Sequence, residues 1–345
     1  MKKIAYFAVI IGLMGCQTAP EVLDTSNEIS IVESNLPKSI FPGNIIQTEQ
    51  SHVITQVHDG LLGLNPRTET PEALLAKRWF INNESTIFTF QLHENIYFHN
   101  DTCFEEGVGR QLIANDVKKS FEYLLKYKCK NQLGTGLIEQ IKGSENYIEK
   151  CIKKEESDVQ IDGIVVKDSF QLEIHLKFPN PNFLYSLVSP DMVVLPIEGL
   201  MAYGENCTVG CGPFELNYYN PEGDSIVLTK NDKYYRTDQA GTPLPHTDRV
   251  TFYYEPVPAK SLKMIRNGVV KFMPAISKKH VSKFVEDNID LFEDPNPVLS
   301  LEQAYGLEES EVFMIRHTSL RNLRYSSMNM LYLDRVYVQN QEPEK

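Results

Sequence analysis

The stretch Gly210-Cys211-Gly212-Pro213-Phe214, with Asn231-Asp232-Lys233-Tyr234-Tyr235 beyond the next apolar segment, decides how the rest of the chain is read. Two glycines flanking one residue ahead of a proline mark a sharp bend, because a residue without Cβ bends that way at little cost. Phe214 then opens a strand. Working outward, residues 226–229 and 249–254 read as strands around a Pro- and Gly-rich connection at 237–247.

Upstream, Val53-Ile54-Thr55-Gln56-Val57-His58-Asp59-Gly60-Leu61-Leu62 is expected as a short helix closing at Gly60, with a turn at Leu64-Asn65-Pro66. In residues 86–92, Phe88, Phe90 and Leu92 share one strand face while Thr89 and Gln91 share the other. Ile96-Tyr97-Phe98 is expected as its partner strand. Ala114-Asn115-Asp116 is expected to cap a helix whose Val117, Phe121, Leu124 and Leu125 form one apolar face, with Lys118, Lys119, Glu122 and Lys126 outward. Residues 164–167 turn at Asp168-Ser169 into a strand in which Phe170, Leu172, Ile174 and Leu176 alternate with Gln171, Glu173 and His175. Val193-Val194-Leu195-Pro196 is expected to return to the first structural unit. Hairpins interleaved with helices point to an α+β or mixed α/β fold rather than a barrel.

The N-terminus reads as a targeting segment: Lys2 and Lys3, an apolar run from Ile4 to Met14, then Leu13-Met14-Gly15-Cys16, which has the form of a bacterial lipobox. The run is shorter than the roughly 20 residues a membrane span needs. Residues 1–15 are therefore expected as a signal peptide and Cys16 as the lipidated residue, tethering the chain to a membrane and facing the periplasm or the cell surface. Residues 21–36 are polar and acidic and are expected as a spacer, so anchor and spacer run over 16–38. A net charge of -12 with acidic residues spread along the chain argues against nucleic-acid binding. Besides Cys16 there are Cys103, Cys129, Cys151, Cys207 and Cys211, an odd number for a compartment that permits disulfides. Cys207 and Cys211 are close enough to bridge across the turn, and Cys103 can reach Cys129 or Cys151; the connectivity stays open.

Four segments, in order, carry a family resemblance. They are Thr55-Gln56-Val57-His58-Asp59-Gly60-Leu61-Leu62; Glu72-Ala73-Leu74-Leu75-Ala76-Lys77-Arg78-Trp79; the strand pair 87–92 and 96–101 running into Leu112-Ile113-Ala114-Asn115-Asp116; and the Gly210 turn with Asn231 to Tyr235. Together, behind a lipobox, they resemble the bacterial extracellular solute-binding proteins of family 5, the oligopeptide-, dipeptide- and nickel-binding lipoproteins of ABC importers. The resemblance implies a type II periplasmic-binding-protein-like lobe, built from 39–63 and 190–258, with an inserted subdomain at 64–189. Residues 259–345 are expected as the partial start of a second lobe that is otherwise largely missing, and 321–331 as the strand where it begins. Met264 to Phe272 resembles the family's helix-to-strand step, with Lys271 in place of the usual Asp.

The implied partners are a peptide ligand and the permease subunits of an ABC transporter, with the membrane reached through the N-terminal lipid. The family holds peptides chiefly by main-chain hydrogen bonds to edge strands, since backbone groups are common to every peptide. Position matching puts a contact strand near Gln47-Thr48-Glu49-Gln50, the other reading being an ordinary polar loop. Gly210 and Cys211 either offer backbone groups to ligand or serve the fold alone. The family's acidic anchor for the peptide amino terminus has no match in this chain. His93 and His99 share strand parity but are not clustered with other ligating residues, so no metal and no cofactor are expected. Tyr218, Tyr219, Tyr234, Tyr235, Tyr253 and Tyr254 either line a cleft or pack. Hydrolase, zinc-protease and Walker motifs are absent and no catalytic residue is assigned. The alternative to a transport role is a truncated relative acting as an interaction or scaffold lipoprotein, or the product of an interrupted gene.

Overall fold

The computed structural model describes residues 27–134, 136–153, 160–293, 297–303, 312–325 and 330–339. The lipobox and Cys16 lie outside the described residues. Strand β1 (Glu28–Glu33) comes first and leads to helix α1 (Thr48–Val57). A small hairpin follows, β2 (Leu62–Leu64) with β3 (Pro71–Ala73), and then β4 (Ala76–Ile81) and β5 (Ile87–Leu92). Helices α2 (Ala114–Lys130) and α3 (Ser144–Lys153) precede β6 (Ile164–Asp168) and β7 (Gln171–His175). Two short helices, α4 (Phe183–Ser186) and α5 (Ile197–Tyr203), lead into β8 (Phe214–Tyr219), β9 (Ser225–Lys230) and β10 (Arg249–Tyr254). The remainder is α6 (Pro258–Arg266), β11 (Phe272–Ser277), α7 (Lys278–Asp287), β12 (Leu299–Gln303) and β13 (Val312–His317), followed by two-residue strands up to Tyr337–Val338.

The subdomain is a four-stranded antiparallel sheet in the order β4-β5-β7-β6. Phe88, Phe90, Leu172, Ile174 and Ile164 are buried on one face under Val117, Phe121, Leu124 and Leu125 of α2, while Thr89, Gln91, Glu173 and His175 remain partly exposed on the other. One-sided burial is what period-two alternation encodes. Three details differ from the sequence expectation. Ile96-Tyr97-Phe98 is not the partner of β5, which sits between β4 and β7; Tyr97 makes only an isolated bridge to Gln111. Helix α2 begins at Ala114, and Asp116 caps it by accepting from the Ile113 amide at 2.9 Å. Glu122 turns inward, because its carboxylate accepts from the Ile161 amide at 3.1 Å as well as from Lys119 at 2.8 Å.

The lobe is a seven-stranded sheet in the order β12-β13-β11-β1-β10-β9-β8, with β1 parallel to both β10 and β11. Residues 28–33, expected as spacer, thus form its central strand. Glu28, Ser30 and Glu33 dilute the pattern, but Ile29 and Ile31 enter the core on one face and Val32 on the other. A parallel strand at mid-sheet needs cover on both sides. Helix α1 covers one face through Val53, Ile54 and Val57, and α6 and α7 cover the other through Leu262, Ile265, Val281 and Phe284.

The expectation that 259–345 begins a second lobe gives way here. β11, β12 and β13 extend the same sheet, and Leu320, Leu331, Leu333 and Val336 are buried in the core on the α1 face.

Candidate functional site

Gln47 to Gln50 do not form an edge strand. Gln47 precedes α1 and Thr48, Glu49 and Gln50 make its first turn. The buried Gln50 amide is occupied by the fold: its oxygen accepts from the Ile46 and Gln47 amides (2.7 and 3.0 Å) and its nitrogen donates to the Ser39 and Asn44 carbonyls (2.8 and 3.0 Å). Glu49 accepts from Asn35 at 2.8 Å. The helix itself ends at Val57 rather than Gly60, since Gly60 and Asp59 leave the helix to bridge to Val193 and Val194.

The Gly210 turn is pressed against the end of α1. A Cβ on Gly210 would lie 1.9 Å from the Val57 carbonyl oxygen, and one on Gly212 would lie 2.7 Å from that of Gln56. The Gly212 amide donates to the Val57 carbonyl at 3.0 Å, His99 donates through its amide to the Gly210 carbonyl at 2.8 Å, and Asn231 donates to the Gly212 carbonyl at 2.9 Å. Together these contacts tie the end of α1, His99 and Asn231 to the turn, so the structural role of Gly210 is explicit. Cys211 is buried and its thiol is pushed well up by burial. His93 packs against Tyr235 while the His99 ring bonds the Gly212 carbonyl at 3.0 Å, so the two histidines serve different neighbours.

The turn's next residue, Pro213, lines a depression at the opposite end of α1 from Gln47. A ten-residue helix separates those ends by about 15 Å. The depression has an inner chamber of ≈ 70 Å³, bounded by Thr55, Asp59, Tyr234, Leu331 and Leu333. An outer chamber of ≈ 380 Å³ is bounded by Arg67, Asp238, His246, Asn322 and Arg335. Glu72, Arg236, Tyr332 and Asp334 line both. The inner space suits a few waters and the outer one a small ligand.

Local structure explains each wall. The β2–β3 hairpin presents Glu72, held by Asn65 at 3.0 Å, and the Gln56 amide donates to the Leu331 carbonyl at 2.9 Å, fixing the returning chain. Arg236 lies 3.4 Å from Glu72 and 3.9 Å from Asp334, whose carboxylate is also 3.9 Å from Arg335. Asp59 accepts from the Tyr234 and Tyr235 hydroxyls at 3.1 and 3.2 Å. Burial pushes the Asp59 carboxyl up to about 7, with the Arg236 charge and the two hydroxyl bonds pulling the other way. Burial also pushes both tyrosine hydroxyls well above their usual range. The result is a polar floor of fixed hydrogen bonds under a mouth carrying carboxylates and guanidinium groups together. Among the described residues no group of three or more His, Cys, Asp or Glu side chains could hold a metal ion.

Sequence reading placed Asp59, Glu72 and Tyr234 inside the segments that carry the resemblance, weighing Tyr234 as either cleft-lining or packing, and it missed Arg236 and Asp334. An arginine directly after two tyrosines was the available signal. Its acidic partners lie 164 residues before it and 98 after, beyond any spacing rule.

Residues 70–305 match the model of bacterial extracellular solute-binding proteins, family 5 Middle. Dipeptide-binding protein DppE of Bacillus subtilis (strain 168) is 26% identical over 259 residues, which cover 69% of this chain and 44% of that protein. A periplasmic oligopeptide-binding protein of Borrelia burgdorferi superposes with a TM-score of 0.64 at 23% identity, covering 80% of this chain and 51% of its own. Listeria monocytogenes OppA bound to peptide superposes with a TM-score of 0.64 at 18% identity, covering 83% of this chain and 53% of its own. The chain thus spans about half the length of these relatives. With the family model matching more than half of its residues, the chain belongs to the bacterial extracellular solute-binding proteins of family 5.

Proposed function

We propose that this chain is a peptide-binding lipoprotein of an ABC importer, anchored through Cys16 on the extracytoplasmic side and passing oligopeptides or dipeptides to permease subunits. The observation that carries the reading is family membership across residues 70–305. The two-chambered depression supports it by supplying a place for ligand. A peptide is a zwitterion, and the outer chamber sets Asp238 and Glu72 beside Arg67 and Arg335, carboxylates for the ammonium end and guanidiniums for the carboxylate end. Ligand binding at Gln47 to Gln50, Gly210 or Cys211 is not part of this proposal, because their polar groups or backbone serve the fold. No catalytic role is assigned.

The test is native mass spectrometry and calorimetry on the purified mature chain with a mixture of di- to hexapeptides. Bound peptides of mixed sequence are expected. Arg67→Glu with Arg335→Glu, both at the chamber wall, is expected to weaken binding at least about tenfold without changing the melting temperature. A cooperatively folded chain that takes up no peptide at millimolar concentration overturns the transport reading and favours the scaffold lipoprotein.

A further inference from the structure

A seam of polar contacts brings the loop that carries Cys103 against the segment that carries Cys207. The Tyr203 hydroxyl donates to the Asp101 carboxylate at 2.6 Å and meets the Thr102 hydroxyl at 3.0 Å. His99 donates to the Gly210 carbonyl at 2.8 Å. Arg110 reaches Glu198 through two bonds of 2.7 and 2.8 Å. The seam therefore docks loop 99–103 onto the segment from α5 to the Gly210 turn. Cys103 follows Thr102 directly, its amide held by Asp101 at 2.8 Å, and Cys207 lies four residues after Tyr203. Cys207 is buried in the subdomain core, and half-buried Cys103 packs against that same cluster. Gly199 of α5 closes the Cys207 sulfur from one side, where an added Cβ would come within 2.8 Å. Both thiols are free in this structure, and it is the Tyr203 hydroxyl's contacts with Asp101 and Thr102 that hold the two segments together.

The other cysteines have different surroundings. The buried Cys211 thiol feels the charge of Asp59. Cys129 and Cys151 are neighbours on the α2–α3 pair. All five cysteines among the described residues carry free thiols in this structure.

We propose that Cys103 and Cys207 form a structural disulfide in the exported protein, joining loop 99–103 to the segment between α5 and the Gly210 turn. The inference rests on the extracytoplasmic location that the family reading carries. Chemically, the two thiols lose two protons and two electrons as the S–S bond forms. A disulfide-bearing oxidant, such as an extracytoplasmic thiol–disulfide oxidoreductase, takes up both and leaves as a dithiol. In the closed fold, burial pushes the Cys103 thiol up to about 12 and the Cys207 thiol to about 11, so little of either is thiolate. The bond therefore forms while the chain is folding, when both thiols titrate normally. It closes a loop of roughly a hundred residues, a length at which cross-linking restrains the unfolded chain strongly.

The experiment exports the full chain to a bacterial periplasm, alkylates it under denaturing, non-reducing conditions and maps the digest by mass spectrometry. A linked pair of peptides carrying Cys103 and Cys207 is expected, with Cys129, Cys151 and Cys211 outside that link. Reduction is expected to lower the melting temperature by about 5–10 °C. Cys103→Ser is expected to abolish that shift, while Cys129→Ser leaves it intact. Alkylation of both Cys103 and Cys207, a link from either to another cysteine, or an unchanged reductant response in Cys103→Ser overturns the proposal. The readout is a covalent bond rather than ligand uptake, so its failure leaves the peptide-binding reading standing.

Discussion

At the residue scale, two positions carry more than their size indicates. Gly210 has no room for a methyl group, because the contact at 1.9 Å is with backbone rather than a movable side chain. Gly210→Ala is expected to cost at least about 2–3 kcal/mol in urea unfolding, whereas Gly63→Ala, whose Cβ meets side chains at 3.6 Å or more, is expected to stay near wild type. Equal stability in the two variants refutes this account of the turn. Asp59 carries the second effect. Its folded pKa of about 7 lies above the unfolded 3.8, so the native state holds a proton that the unfolded chain has released across that interval. This group's contribution to stability is complete below about pH 4 and is lost as pH rises through 7. Asp59→Asn is expected to remove that slope, up to about 1.4 kcal/mol per pH unit relative to wild type, in denaturation curves taken from pH 4 to 8. The buried imidazoles of His58 and His99, lowered by desolvation to about 3 and about 4, act with the opposite sign: their contribution is lost as pH falls below 6.5. Comparing mutant with parent isolates the Asp59 part.

At the scale of elements, the joint between α2 and α5 depends on one side chain. Arg110 bonds both Asp116 oxygens at 2.8 and 2.7 Å and both Glu198 oxygens, and it lies 5.3 Å from the centre of the Phe98 ring. Asp116 is almost fully buried, so removing the guanidinium strands a carboxylate that also caps α2. Arg110→Ala is expected to cost about 2–3 kcal/mol, discounted because the arginine is one-third exposed, and Arg110→Lys is expected to recover less than half, since an ammonium cannot fork to two carboxylates. Chemical denaturation of both variants checks this. The helix faces and alternating strands of these elements were legible in the sequence, as the burial of Val117, Phe121, Leu124 and Leu125 demonstrates. Strand β1 was not. A six-residue strand with three polar positions looks like a linker until its neighbours on both sides are known.

For the whole molecule, Leu320, Leu331, Leu333 and Val336 of the returning chain complete the core on the α1 face. Leu320, Leu331, Leu333 and Val336 are each buried, worth about 1.5–3 kcal/mol apiece at most, against a typical total margin of about 5–15 kcal/mol. Truncation after Ser319 is therefore expected to lower the melting temperature by more than about 10 °C or to abolish cooperative melting in calorimetry. A truncated chain that melts within a few degrees of the parent shows instead that this segment is a passive covering. The same segment supplies Tyr332 and Asp334 to the depression, so its loss is expected to open the chamber as well as weaken the lobe.

The local patterns of this protein follow from its sequence alone: the tight turn at Gly210, the amphipathic face of α2, the half-buried strands of the subdomain and the ordered motifs of a family 5 solute-binding protein. They are legible because periodicity and glycine chemistry act within a few residues. Tertiary structure alone decided that 28–33 lies at the centre of the sheet and that β11, β12, β13 and the residues Leu320, Leu331, Leu333 and Val336 join the first lobe. It alone brought Asp59, Glu72, Arg236 and Asp334 to one depression and packed Cys103 and Cys207 into one core. The physical reason is the same in each case: burial and charge pairing act through space, between residues from separate parts of the chain, where no sequence period reaches.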